Sequence, residues 1–141
     1  MQRPFEFRIV VFAALLTGVT CAAWAFEASL PSLEKSPAYE QFSRQKASEL
    51  SKLLFLLNRF REAQVKVVYD GHYYEAPEAV RLAKNYLMKN YRKEKADYWI
   101  RKYCYKTEGG NVILLKDTGG KMKPAQDFAL EELAALEHSI P

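Results

Sequence analysis

The stretch VKVVYDGHYYEAPEAVRLAKNYL, residues Val65–Leu87, decides the fold, and the rest of the chain is interpreted outward from it. Val65–Tyr69 places valine, valine and tyrosine side chains on one face of a predicted β-strand. The pair Asp70-Gly71 predicts a type I′ turn, because both central residues of that turn need positive φ. Two tyrosines continue the return strand. Pro77 then suits the first turn of a helix, where its missing N–H costs nothing.

The other elements follow from apolar periodicity and turn signals. The predicted elements are a helix over Ser43–Glu62, a helix over Ala96–Tyr105, short strands at Val112–Leu115 and Lys121–Lys123, and a last helix from Pro124. Neither hairpin is stable alone in water, so we expect the two hairpins to join in one sheet. The sequence therefore predicts an α+β fold, with a small antiparallel sheet from two short hairpins packed against about four helices.

Two helices have apolar faces that the sequence defines residue by residue. On the helix after Pro77 the predicted face is Ala79, Ala83, Tyr86, Leu87 and Tyr91, and it is expected to lie on the hairpin. On the last helix the predicted buried residues are Ala125, Phe128, Ala129, Leu133 and Leu136.

The N-terminus has the pattern of a secretory signal. Positive charge precedes a short apolar run at Ile9–Val19, and Ala23-Trp24-Ala25 resembles a cleavage site. The run is shorter than the ~20 apolar residues of a membrane-spanning helix. We therefore predict a signal peptide at 1–25 cleaved after Ala25, a flexible spacer at 26–42 and one domain at 43–138. The mature protein would be periplasmic or secreted, with no transmembrane segment.

The two cysteines have different implications. Cys21, after Gly18-Val19-Thr20, leaves open an alternative in which the protein is a lipid-anchored envelope factor. Cleavage after Ala25 would leave Cys104 as the single cysteine of the mature chain, so no internal disulfide would form. Cys104 lies on the apolar side of its predicted helix, and we expect it to be a buried core residue rather than a reactive thiol.

The mature region resembles the YfeK-like family of small exported bacterial proteins, a domain family of unknown function. The matching residues are Val67-Val68-Tyr69-Asp70-Gly71, Tyr74, Glu78-Ala79, Ala96-Asp97, Trp99-Ile100, Gly110 and Phe128–Leu133. The resemblance covers about Ser48–Leu136 and implies an exported α+β domain. It implies no reaction. The chain has Tyr105-Lys106-Thr107-Glu108 where relatives carry several serines, and Tyr86-Leu87 where they carry a Lys-Tyr pair.

Residues 84–106 form the most charged part of the chain. Eight basic and two acidic residues lie there, which leaves a net charge of +6 against +4 for the whole chain. Tyrosines and a tryptophan are interleaved with them. Such a composition can bind nucleic acid, but an exported protein meets anionic lipid head groups, cell-wall polymers and acidic proteins more often. We expect an envelope protein or an anionic envelope surface as the partner, and no nucleic acid.

No catalytic or metal-binding motif appears in the sequence. His72 and Asp70 can be imagined as an acid–base pair, but no nucleophile lies beside them. Two histidines without ligand spacing predict no metal site, and no cofactor is expected. A small hydrolase-like enzyme, using the Asp70–Tyr74 turn and the Tyr105–Gly110 loop, is the alternative hypothesis. It requires the two loops to converge in one concave pocket.

The sequence thus favours a non-catalytic exported binding or scaffolding module of the cell envelope. Its predicted contact surface combines the hairpin turn with the basic region. The predicted binding residues are Asp70, His72, Tyr74, Lys93, Arg101, Lys102, Tyr105 and Lys106.

Overall fold

The computed structural model describes residues 25–141, which form five α-helices and one four-stranded antiparallel sheet. In chain order the elements are α1 (Pro37–Ser43), α2 (Glu49–Glu62), β1 (Lys66–Tyr69), β2 (His72–Glu75), α3 (Ala76–Asn90), α4 (Ala96–Tyr103), β3 (Leu114–Lys116), β4 (Met122–Pro124) and α5 (Ala125–Ser139). The α+β prediction is confirmed. The predicted signal sequence before Ala25, with Cys21, lies outside the described residues.

The two hairpins join as predicted, and β1 and β3 pair at the centre of the sheet. The strand order is β2-β1-β3-β4, with Val67 opposite both Tyr74 and Leu115. Asp70 and Gly71 both have positive φ, at 49° and 78°, which confirms the predicted turn chemistry. Each strand is only three or four residues long, so it is the merged sheet that provides a surface wide enough to pack against helices.

Two apolar clusters form the core. The first lies among the helices and includes Phe55 of α2, Leu87 of α3 and Trp99 of α4. The second lies under the sheet, where Leu115 is fully buried and packs with Phe128 of α5. The five residues predicted for the buried face of the last helix are all buried. Because α5 contributes to both clusters, it joins the helical part of the domain to the sheet.

Helix α2 begins at Glu49, not at Ser43 as the apolar pattern suggested. Ser48 and Ser51 form a capping box: the Ser48 hydroxyl accepts from the Ser51 backbone N–H at 3.0 Å, and the Ser51 hydroxyl accepts from the Ser48 backbone N–H at 2.7 Å. These bonds satisfy N–H groups that an uncapped helix would leave without partners. The local capping geometry therefore sets the start of this helix, and the leucine stripe does not extend it.

The apolar face of α3 differs from the predicted one. The buried residues are Ala76, Val80 and Leu87, whereas Ala83 and Tyr86 are exposed. Helix α3 contacts α2 on one side and the hairpin on the other, so a narrow seam along the helix is covered. Tyr86 instead lies at the rim and stacks on aromatic rings of α4.

The segment 26–42, predicted to be a flexible spacer, contributes side chains to the buried residues. It contains most of α1, whose Ala38 and Phe42 lie in the first cluster. A carboxylate oxygen of Glu62 accepts from the Ser36 hydroxyl and from the Ala38 backbone N–H, both at 2.8 Å. Two apolar positions four residues apart make too short a pattern to predict α1 from the sequence.

Within residues 25–141, no helix combines the length and the apolar content that a membrane span requires. The longest helices, α3 and α5, have 15 residues each, and both carry charged side chains.

Candidate functional site

The exposed cations and tyrosines of residues 84–106 form what we call the basic aromatic surface. It comprises Lys84, Tyr86, Lys89, Arg92, Lys93, Lys95, Tyr98, Arg101, Lys102, Tyr105 and Lys106, all of them exposed. These residues come from the second half of α3, the connection after it, α4 and the segment that follows α4. The surface therefore contains five of the eight binding residues predicted from the sequence.

Aromatic stacking holds part of this surface in place. The ring centroids of Tyr86 and Tyr103 are 5.4 Å apart, and those of Trp99 and Tyr103 are 4.3 Å apart. Trp99 is buried, so it fixes the two more exposed tyrosines from beneath. Tyr86 and Tyr98 remain 47% and 52% exposed, which leaves their rings available to a partner.

Lysines lie over several of these rings. The Lys102 ammonium is 5.2 Å from the Tyr103 ring centroid and 5.7 Å from that of Tyr98. A hydrogen bond with Tyr103 and the nearby phenol groups raise the pKa of Lys102, so the lysine stays charged. Lys106 lies over Tyr105 at 5.0 Å in the same way. These cation–π contacts orient the charges and leave their other sides open to solvent.

No cation of this surface lies within ion-pair distance of a carboxylate in the described part of the chain. Seven ion pairs occur among residues 25–141, and none of them includes a lysine or arginine of the basic aromatic surface. Lysines elsewhere do pair: Lys52, for example, lies 2.8 Å from Glu49 and 2.9 Å from Glu137. Most of the net charge of +6 is therefore presented to solvent, although Lys95 lies close enough to Glu49 to contribute to the lowered pKa of that carboxylate.

The connection between α3 and α4 has a defined shape. Lys93 adopts a positive φ of 68°, which is uncommon for a residue with a side chain. The Glu94 carboxylate accepts from the Arg92 backbone N–H at 3.0 Å, and the Tyr91 hydroxyl donates to the Glu94 carbonyl at 2.9 Å. The carboxylate and the backbone carbonyl of Glu94 thus close the turn that exposes Arg92 and Lys93.

The hairpin turn and the loop after α4 meet directly. Asp70 Oδ1 accepts from the Thr107 hydroxyl at 2.5 Å and from the Asn111 side-chain amide at 2.9 Å. These two bonds, and more weakly the charge of His72, lower the pKa of Asp70. A Cβ added at Gly109 would lie 3.4 Å from the same carboxylate oxygen. The loops therefore contact each other through a hydrogen-bonded junction.

This junction changes the interpretation of the acid–base pair. No hydrogen bond joins Asp70 and His72 among the described residues, and Oδ1 of Asp70 already accepts two bonds from Thr107 and Asn111. The geometry assigns Asp70 a structural role. Sequence reasoning missed Thr107 and Asn111 as its partners, because no local pattern links them to a turn 37 and 41 residues earlier.

The structure places the other predicted residues in three different surroundings. Tyr105 and Lys106 lie immediately before Thr107, so the junction brings them beside the hairpin turn with Asp70. Lys102 belongs to the aromatic stack of α4. His72 is exposed at the start of β2, and Tyr74 is partly buried two residues later.

Cys104 is not a candidate nucleophile. Cys104 is partly buried against the first apolar cluster, where it was predicted to be a buried core residue. Burial of its thiol raises the pKa of Cys104 to about 12, so the thiolate is scarce at neutral pH. Among residues 25–141, no group of three or more histidine, cysteine, aspartate or glutamate side chains is arranged to hold a metal ion.

A cleft of about 740 Å³ lies at the end of the strands opposite to the Asp70 turn. None of the eight predicted binding residues lines it. The two loops named in the enzyme hypothesis do converge, but they do so by direct contact at the other end of the sheet.

Comparisons with known proteins identify no matching family model, no matching curated protein and no matching solved structure. The resemblance to the YfeK-like family therefore stays a prediction based on the pattern of residues, and function must be argued from the geometry of the chain itself.

Proposed function

We propose that the protein is an exported, non-catalytic binding module whose basic aromatic surface contacts an acidic partner of the cell envelope. The observation that carries the proposal is the absence of any ion pair to the eight cations of this surface within residues 25–141. Unpaired charges at a protein surface attract an oppositely charged partner and speed its association.

The exposed rings support a protein contact. Tyr86 and Tyr98 offer flat, amphipathic area next to Lys102, and tyrosine with basic side chains is a common composition of binding surfaces. The stacking of Tyr86 on Trp99 and Tyr103 reduces the side-chain freedom that binding would otherwise remove. An acidic envelope protein is the partner that fits both features.

The test is a triple charge reversal, Lys93→Glu, Arg101→Glu and Lys102→Glu, followed by pull-down from a solubilised envelope fraction. We expect capture of the partner to fall by about tenfold or more, because three favourable charges become unfavourable. Raising the salt concentration should weaken capture by the unmodified protein. The midpoint of thermal unfolding should stay near that of the unmodified protein, since all three residues are exposed.

The matched control reverses three exposed cations elsewhere, Lys35→Glu, Lys46→Glu and Arg61→Glu, with the same change in net charge. Capture should stay close to that of the unmodified protein. If both triple variants lose the partner equally, net charge alone is responsible and this surface is not the contact site.

Export is the second part of the proposal, and the mature N-terminus tests it. Mass spectrometry of the protein from its native cell should give an N-terminus at Phe26. A lipid-modified N-terminal Cys21 would instead support the anchored alternative, and an intact N-terminus in the cytosol would contradict export.

A further inference from the structure

The cleft of about 740 Å³ has the size of a small-molecule site and lies apart from the basic aromatic surface. Its floor is the outer face of the sheet, where Lys66, Tyr73 and Lys116 point to the same side. One wall is the turn Asp117–Gly120, and the other includes Ala76 and Pro77 at the start of α3. The site therefore belongs to three separate elements that the fold brings together.

Two lysines stand directly opposite each other in this floor. Lys66 of β1 is the register partner of Lys116 of β3. Like charges on directly opposed strand positions are destabilising. Lys66 lies 3.6 Å from Glu75, so one of the two charges has an acidic neighbour. The pair is thus only half compensated by the protein itself.

Lys116 is the charge without an acidic partner. Within residues 25–141 no carboxylate lies within ion-pair distance of its ammonium, which instead lies 5.1 Å from the ring centroid of Tyr73. Its side chain is partly buried, so water solvates it less completely than a fully exposed lysine. A partly buried, unpaired cation in a cleft favours an anion as its partner.

The second carboxylate of the cleft does not fill this role. Asp117 lines the cleft, but its Oδ1 accepts from the Lys121 backbone N–H at 2.8 Å and its Oδ2 from the Glu27 backbone N–H at 3.0 Å. These bonds, with further ones from the backbone of Gly119 and Gly120, lower the pKa of Asp117. Asp117 therefore stays ionised, but backbone donors hold both of its oxygens and it makes no ion pair with Lys116.

The rest of the lining is apolar or carries neutral donors. Ala63, Val65 and Ala76 are buried residues at the edge of the second apolar cluster, and they line the cleft. Thr118 and Gln64 are exposed and can donate hydrogen bonds. A ligand that fits this lining has one anionic group and an apolar or ring-shaped body.

We propose that this cleft is a binding site for a small organic oxyanion, with a carboxylate or phosphate on Lys116 and a ring or apolar body against Ala63, Ala76 and Pro77. The site goes beyond the proposed function, because it uses none of the residues of the basic aromatic surface. It also binds its ligand whether or not that surface binds an envelope protein.

The experiment is a two-dimensional amide NMR titration of the mature chain with four probes. Phenyl phosphate and benzoate carry both a ring and an oxyanion, inorganic phosphate lacks the ring, and benzyl alcohol lacks the charge. We expect saturable shifts of the Gly119, Gly120 and Lys66 amides with at least one of the two ring anions. That probe should bind about tenfold tighter than benzyl alcohol, which is the effect of one charge-assisted hydrogen bond. Saturable binding of phenyl phosphate but not of benzoate would indicate a phosphate ligand. The reverse result would indicate a carboxylate ligand.

Variants test whether Lys116 carries the binding. Lys116→Met keeps most of the apolar stem and should weaken binding of the ring anion by about tenfold. Lys116→Arg keeps the charge, and its affinity for the ring anion should be within about threefold of that of the native chain. Tyr73→Leu, at a ring that is 55% exposed, serves as a second variant if Lys116→Met does not fold. Tyr73→Leu should weaken binding of the ring anion several-fold. Lys46→Met, at an exposed lysine outside the cleft, is the control and should bind normally.

The proposal is overturned if neither ring anion gives a saturable shift at the cleft up to the solubility of the probe. Equal binding by Lys116→Met and the native chain would also overturn it. So would shifts that spread over the basic aromatic surface and leave Gly119 and Gly120 unchanged, because the anion would then respond to general positive charge.

Discussion

Two aspartates lie at opposite ends of the sheet and hold those ends together in different ways. At the turn of the first hairpin, Asp70 accepts hydrogen bonds from the side chains of Thr107 and Asn111. At the turn of the second hairpin, Asp117 accepts from the backbone N–H groups of Glu27 and Lys121. Both carboxylates have a lowered pKa, since each is stabilised in its charged form by the donors around it.

The difference lies in the donors that a substitution would leave behind. Without Asp70, the exposed Asn111 amide can turn to water, and only the buried Thr107 hydroxyl loses a partner. Without Asp117, several backbone N–H groups lose their acceptor at once, and the N-terminal segment loses its bond to the sheet through Glu27. The Asp117 end should therefore be the more sensitive of the two.

The largest expected effect comes from removing each carboxylate in turn. Asp117→Ala should lower the midpoint of thermal unfolding by about 5 °C or more, and Asp70→Ala by about half as much, because Asp117 is buried and accepts from more donors than the exposed Asp70 does. Differential scanning calorimetry measures both. Asp127→Ala, at an exposed aspartate with no such bonds among the described residues, is the control. Equal losses for Asp70 and Asp117 would mean that the two ends do not differ in this way.

Acid should reduce the stability through the same two residues. An unfolded aspartate titrates near ~3.9, and both folded pKa values are lower, so their stabilising effect is complete above that pH. It is lost as the pH falls from about 4 through the folded pKa values. Urea unfolding at several pH values should show a smaller acid loss for Asp117→Asn, and also for Asp70→Asn, than for the native chain. An unchanged acid loss in both variants would show that other carboxylates dominate.

The smallest expected effect is a local opening of the structure near Asp70. The rate at which the Cys104 thiol reacts can measure it. With a pKa of about 12, Cys104 should react with a thiol reagent at pH 8 far more slowly than in the denatured chain. Cys104 directly precedes the loop that Thr107 joins to the hairpin, so Asp70→Ala should speed the reaction severalfold by loosening that loop. Asp117→Ala should have little effect on this rate at a temperature where the variant is folded. The reverse ranking would contradict the assignment of the two aspartates to separate ends.

Much of the fold was predictable because its signals are local. The Asp70-Gly71 turn needs positive φ at two successive residues, and the residue types Asp and Gly predict that conformation. The buried face of α5 follows from helical spacing alone. The start of α2 was missed because the leucine stripe is compatible with an earlier start, and the decision depends on two serine hydroxyls.

The candidate sites were predictable to different degrees. The charge of residues 84–106 is a property of composition, so the basic aromatic surface could be proposed before the fold was known. The cleft could not, since Lys66 and Lys116 are fifty positions apart and become neighbours only when β1 pairs with β3. The same holds for Thr107 and Asn111 beside Asp70.

The sequence by itself determined the strands, the turn and most of the helices of this protein, because backbone preference and apolar spacing act over a few residues. Tertiary structure alone decided which distant side chains meet, including the exposure of Tyr86, the junction at Asp70 and the unpaired lysine of the cleft. Such contacts depend on the pairing of whole elements, and no local pattern of residues encodes that pairing.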